Sequence, residues 1–189
     1  MKNKVADMYR SQVIGMDGLV KAIEKGWLTA EEAVDLVGEE QSFELHQKVK
    51  LAEISTACNT VIVHGIDLEL GGEAVHFNLS IEDQSNIANL FRVVELGGTQ
   101  FPYQADGGVC RIYTATEIAQ LYIAAQTHIT TQTTYHNTLK EYVLSITEPE
   151  ELAVVTYGME LPKKFAAKMT EKLAVAQAQM EAIVAKLGG

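Results

Sequence analysis

Cysteine is scarce in this sequence. Cys58 and Cys110 are the two thiols in 189 residues, far apart and in unrelated contexts. That argues against a disulfide framework and for a reducing compartment with buried thiols. Basic charge is also short. Fifteen Lys and Arg stand against 25 Asp and Glu, a net charge of −10. Duplex nucleic acid repels such a surface unless basic residues are segregated on it. Lys163, Lys164, Lys168 and Lys172 do cluster, but Glu160, Glu171 and Glu181 lie among or near them. The composition therefore reads against nucleic acid and against anionic membranes. No apolar run approaches the length of a bilayer span. The first ten residues, MKNKVADMYR, lack the apolar core of a signal peptide. The expectation is a protein made and folded in the cytosol. Missing too are a phosphate loop, a dinucleotide fingerprint, a nucleophile elbow and a zinc-protease helix. Their absence lowers the odds of an enzyme.

What is present is an ordinary globular composition, 47% hydrophobic and 21% charged. A chain of this length suits one domain, or one domain with appendages, and can bury a core without staples. Helix starts are legible because one device recurs. Thr29–Glu32 (TAEE), Thr114–Glu117 (TATE) and Thr147–Glu150 (TEPE) each read as a capping box, and Ser80–Asp83 (SIED) as a weaker form. In each, the hydroxyl accepts an early helical N–H and the acid reaches back to the cap N–H.

Met16, Leu19, Val20, Ile23 and Trp27 form a helical stripe. Gly26 turns the chain, Thr29 opens a second helix, and Gly38 ends it. This predicts a helical hairpin, with Trp27 packed in the seam; an interface role for Trp27 is the alternative. Ser42 to about Thr56 reads as a connecting helix. VIVHGIDLEL and AVHFNLS then read as strands around a Gly-Gly turn. A capped helix follows, with Ile87, Leu90, Phe91 and Val94 on its stripe. FPYQAD and VCRIYT form a second hairpin around Asp106-Gly107, with Val109, Arg111 and Tyr113 on one side and Cys110 and Ile112 on the other. Ala115 to about Ile146 carries two overlapping stripes, the pattern of a long helix with a wide buried face. Its threonine-rich centre, residues 127–138, is poor in helix formers and admits a break. Val154, Val155 and Tyr157 favour a strand. Pro162 opens a C-terminal amphipathic helix with Phe165, Met169, Leu173, Ala176, Met180, Val184 and Leu187 on one face.

The reactive residue types do not assemble into a catalytic pattern. His128 and His136 are eight apart, about two helical turns, and no acid lies between Glu117 and Glu141. Zinc needs closer neighbours and further ligands. In a trimer of the long helix, His128 and Gln132 would form a polar layer that fixes register. Cys58 has no His at an activating spacing, so both cysteines read as buried thiols. Asp106 beside Gly107 reads as a turn residue. Glu39-Glu40 and Glu150-Glu151 are adjacent and do not face each other on a helix. No catalytic, cofactor or metal residue is assigned.

Two segments resemble known families. Met16–Glu40 resembles the small XkdX-like proteins encoded among phage tail genes. Lys25, Gly26, Trp27, Leu28, Thr29, Glu31, Glu32, Gly38 and Glu39 carry the match. Residues from about Val75 to Ile146 resemble a domain of unknown function common in phage tail and tail-fibre-region proteins. Asp83, Gln84, Asn86, Ile87, Tyr103, Ala105, Asp106, Gly107, Cys110, Tyr113, Tyr135, Asn137, Leu139 and Lys140 carry that one.

The expected fold class is α+β: an N-terminal helical hairpin (1–41), a connecting helix (42–60), an α+β core of two β-hairpins packed with helices and one long helix (61–147), and a C-terminal segment with an amphipathic helix (148–189). The resemblance implies a non-enzymatic structural component of a phage or prophage tail, near the baseplate or receptor-binding fibre. Its partners would be other tail or baseplate proteins, with a homotrimer or ring for the assembly. A fibre-assembly chaperone and an inhibitor of a host defence protein are the alternatives. Trp27, Phe165, Met169, Leu173, Met180 and Leu187 are the expected interface residues.

Overall fold

The computed structural model describes residues 1–187; the side chains at 184, 186 and 187 lie outside the described set. Eight helices and two antiparallel β-hairpins make an α+β fold among the described residues. The chain divides into two compact units. The first comprises Met1–Ala57 and Thr138–Leu161, the second Cys58–Asn137 and the chain from Pro162 onward. Helices α4 (Glu39–His64) and α6 (Ala115–Ser145) contribute residues to both.

The first unit opens with α1 (Lys2–Arg10), α2 (Met16–Glu24) and α3 (Ala30–Val37). Thr29 caps α3 in a full box: Glu32 N–H donates to Thr29 Oγ1 at 3.1 Å, and Thr29 N–H to Glu32 Oε2 at 3.0 Å. Val5, Leu19, Val20, Ala22, Leu28, Ala33 and Leu45 form the core of this unit. Each large side chain buried there adds roughly 1.5–3 kcal/mol. Helix α1 is not legible in sequence, because only Val5 and Ala6 of it are buried. Trp27 corrects the seam reading. It is 40% exposed, with the Lys25 ammonium 4.8 Å from its ring, while Leu28 fills the core at 5%. Gly26, at φ +66°, turns the chain so that the next residue but one faces inward.

Helix α7 runs Pro149–Ala153, and Val154, Val155 and Tyr157, expected as strand, follow it in turn and irregular chain. The box at Thr147 does not form. Glu148 is the N-cap, with no side-chain cap bond, because Pro149 takes the first helical position and holds its predecessor extended. Leu152 and Val155 are buried and Val154 is exposed. Tyr142 Oη donates to Glu151 Oε1 at 3.0 Å, fastening α7 to the end of α6.

In the second unit, α4 runs on through Val61–His64, in place of the expected strand. The strand β1 (Ile66–Leu70) starts only after Gly65. Gly65 has φ +88°, and a Cβ there would lie 1.9 Å from the Phe77 carbonyl oxygen. The backbone crossing, rather than the β-branched run before it, sets the boundary. β1 pairs with β2 (Glu73–Phe77), placing Asp67 opposite His76. α5 (Ile81–Glu95) is capped by Ser80 and Asp83 in a complete box. β3 (Gln100–Tyr103) pairs with β4 (Arg111–Thr114), Phe101 opposite Tyr113. Thr114 and Glu117 then cap α6, with Glu117 N–H donating to Thr114 Oγ1 at 3.2 Å and Thr114 N–H to Glu117 Oε2 at 2.8 Å.

The core of this unit gathers Leu70, Phe77, Leu79, Ile87, Phe101, Tyr113, Ile118 and Leu121. A two-stranded sheet covers one face only. Tyr113 lies on the covered face, and Cys110 and Ile112 are exposed. The buried-thiol expectation therefore holds for Cys58 and fails for Cys110. Val109 precedes β4 and is exposed rather than aligned with Tyr113. Helix α6 is continuous through its threonine-rich centre. Burial of Ile118, Leu121, Ala125, Thr138 and Leu139 outweighs the few tenths of a kcal/mol that each threonine costs a helix. Helix α8 (Lys163–Leu187) completes the unit.

Candidate functional site

Helix α8 begins directly after Pro162, which cannot continue a helix backwards. Its stripe repeats at three- and four-residue steps, so one face is apolar along its length. Phe165 is buried at the start of that face. Met169, Leu173, Ala176, Met180 and Ile183 are half-buried, a partial cover that persists for four turns. Lys164 and Lys168 place their ammonium groups 5.9 and 5.5 Å from the Phe165 ring. Of the expected contact residues, Leu173 and Met180 come together in one groove. Phe165 belongs to the interior, and Met169 lies on the same stripe outside the groove lining. Trp27 belongs to the first unit. The side chains of Leu187 and its stripe neighbour Val184 lie outside the described set.

The groove holds about 610 Å³ between α8 and the middle of α6. Leu173, Ala176 and Met180 face Ile123 across it, and Thr127, Thr130 and Thr131 supply hydroxyls from α6. Gln177 Nε2 donates to Glu181 Oε1 at 3.0 Å along its border. Among the described residues, Glu181 is the one ionisable group in the lining. Such a cleft can bury apolar side chains and satisfy a few polar atoms. Its described lining offers no nucleophile with a base beside it and no acid–base pair. The α6 wall escapes a sequence reading. A threonine run signals weak helix propensity, and only the packed structure shows which hydroxyl edge it presents.

A second groove, about 450 Å³, lies within the first unit. Phe43, His46, Val49, Lys50 and Glu53 of α4 face Pro149, Leu152 and Ala153 of α7. Lys50 is paired to Glu53 at 2.7 Å, so its charge is already neutralised.

Several other reactive residue types are hydrogen-bonded or packed within the units. His128 Nε2 lies 3.1 Å from the Val61 carbonyl oxygen, and the Cys58 thiol 3.6 Å from that of Gln132, both within the second unit. Asp106 stitches the hairpins together: its carboxylate accepts Asn78 N–H, and its own N–H donates to the His76 carbonyl at 3.0 Å. Gln84 Nε2 donates to the Leu79 carbonyl at 2.8 Å. Phe77, Tyr103 and Tyr113 form an aromatic trio with centroids 6.2–6.5 Å apart. Burial, with Asp83 and Asp106 nearby, pushes the Tyr103 hydroxyl up to about 12. The Arg111 guanidinium lies 4.2 Å from the Tyr113 ring and donates to the Leu70 carbonyl at 3.3 Å. Backbone and side-chain bonds from Thr114, then the Arg111 charge, hold Glu117 below the usual carboxylate range. Among the described residues no three His, Cys, Asp or Glu side chains are grouped to hold a metal. No helix among them is long and apolar enough to cross a membrane.

Comparison with known proteins places this geometry in a family without an assigned activity. No curated protein and no solved structure matches the chain. Residues 45–156 match a family described as a domain of unknown function, DUF4376. That span takes in more than half of the 189 residues, from within α4 to just beyond α7, so the chain belongs to the DUF4376 family.

Proposed function

We propose that this protein is a non-enzymatic structural component of a phage or prophage-derived tail, in the baseplate or receptor-binding fibre region. It acts by docking on neighbouring tail subunits, self-assembly into a trimer or ring included. The observation that carries the docking is the α6–α8 groove. A half-covered apolar stripe beside it, with Glu181 its one ionisable border among the described residues, suits helix-on-protein packing and no bond-making chemistry. The tail assignment rests on the resemblance of Met16–Glu40 to XkdX-like proteins and of residues 75–146 to a tail-associated domain. The acidic charge agrees with a partner that is protein rather than nucleic acid.

On this reading the chain is made in the bacterial cytoplasm and incorporated in the virion tail. Mass spectrometry of purified particles is the test. The expected result is this chain in fixed proportion to the other tail proteins. Its absence from particles, with capture on free tail fibres instead, would replace the reading with a fibre-assembly chaperone. Absence from particles with capture on a host protein would favour an inhibitor of host defence.

A further inference from the structure

We propose that His76 is a protonation-dependent latch that fastens the β1–β2 hairpin to the C-terminal end of α4. The inference is independent of the tail assignment. His76 sits on β2 directly opposite Asp67 of β1. Its Nδ1 lies 2.8 Å from Asp67 Oδ1, and its Nε2 lies 2.8 Å from the carbonyl oxygen of His64. Both contacted atoms accept hydrogen bonds. A neutral imidazole has one N–H and satisfies one of them; the imidazolium has two and satisfies both. The His64 carbonyl belongs to the last residue of α4, where helical carbonyls lack intrahelical partners and the helix dipole is negative. The site is therefore arranged for a cation held between a carboxylate and a helix end.

The surroundings of the ring agree. From β1 comes Asp67, and from α4 the His64 carbonyl and the His64 ring, whose centroid is 5.4 Å away. From the segment after β2 comes the Asn78 side chain. From the loop after β3 comes Asp106, bonded to the His76 carbonyl and to Asn78 N–H. Asp106 meets the His76 main chain rather than its ring, so one carboxylate, Asp67, and one helix end face the two ring nitrogens. The latch lies beside the Gly65 crossing, where a Cβ would lie 1.9 Å from the Phe77 carbonyl oxygen. The neighbours raise the His76 pKa above 6.5, the Asp67 hydrogen bond foremost, while burial opposes them. For a raised pKa the stabilisation is complete below the unfolded value and is lost as pH rises through the folded one.

The test follows the histidine rings of the full chain by long-range ¹H–¹⁵N NMR, with amide exchange in β1 and β2 measured alongside. The expected His76 midpoint lies above 6.5, and Asp67→Asn moves it back toward that value. Beyond the midpoint, corrected for the intrinsic pH dependence, protection of the hairpin amides falls about tenfold for every pH unit by which the midpoint exceeds 6.5. In His76→Gln that dependence disappears. A midpoint at or below 6.5 in the unsubstituted protein, or hairpin protection that does not change across it, would overturn the proposal. Both of those readings come from the unsubstituted protein, so they hold even where a variant fails to fold.

Discussion

The hairpin core of the second unit and the helix that ends the chain treat apolar side chains differently. Leu79, Ile118 and Leu121 are fully buried. On α8, Leu173, Ala176, Met180 and Ile183 stay half-covered, although their periodicity is just as regular. The core residues converge from elements that include β1, β2, α5, β4 and α6, around an aromatic trio. The α8 stripe borders an open groove on α6. A regular stripe thus announces a face that wants cover. How much cover it receives depends on the number of elements that close over it.

Substitutions at the two places separate them, beginning with the largest effect. Leu121→Ala is expected to cost about 2–5 kcal/mol, since the side chain is fully enclosed and a cavity remains. Thermal unfolding would register it as a clear fall in Tm. Thr29→Ala removes one half of a complete capping box and is expected to cost about 1 kcal/mol. Leu173→Ala removes a half-covered side chain and is expected to cost under about 1 kcal/mol. A loss at Leu173 equal to that at Leu121 would erase the contrast. Trp27→Ala is expected to change stability least, by about 0.5 kcal/mol, because Leu28 holds the core position. Chemical denaturation with fitted midpoints resolves the last three.

Much of this is legible in sequence, for local reasons. Capping boxes at Thr29, Ser80 and Thr114 depend on residues three apart, so the starts of α3, α5 and α6 follow from the chain alone. Both hairpins follow from their glycine turns, while Val61–His64 and Val109-Cys110, expected within the strands, fall outside them. What sequence misses depends on distant backbone or on one residue overruling its neighbours. The end of α4 is set by the Gly65–Phe77 crossing, which no local pattern shows. The Thr147 box gives way because Pro149 takes the first helical position of α7, and the β-branched pair Val154-Val155 lies beyond that helix with no partner strand among the described residues. Size alone would send Trp27 to the core, and the turn at Gly26 gives that place to its smaller neighbour. At the candidate site the α8 wall is visible as a stripe. The α6 wall is not, since threonines at 127, 130 and 131 read as weakness rather than as lining.

The most direct measurement is incorporation of the doubly substituted Leu173→Glu, Met180→Glu chain into tail particles, in competition with the unsubstituted chain. Two carboxylates in an apolar contact must lose water without gaining a partner. The account predicts that the variant folds, with circular dichroism unchanged and Tm within a few degrees, and is lost from particles. Equal incorporation of both chains, or collapse of the fold on substitution, would contradict it: the stripe would then belong to no interface, or to the core.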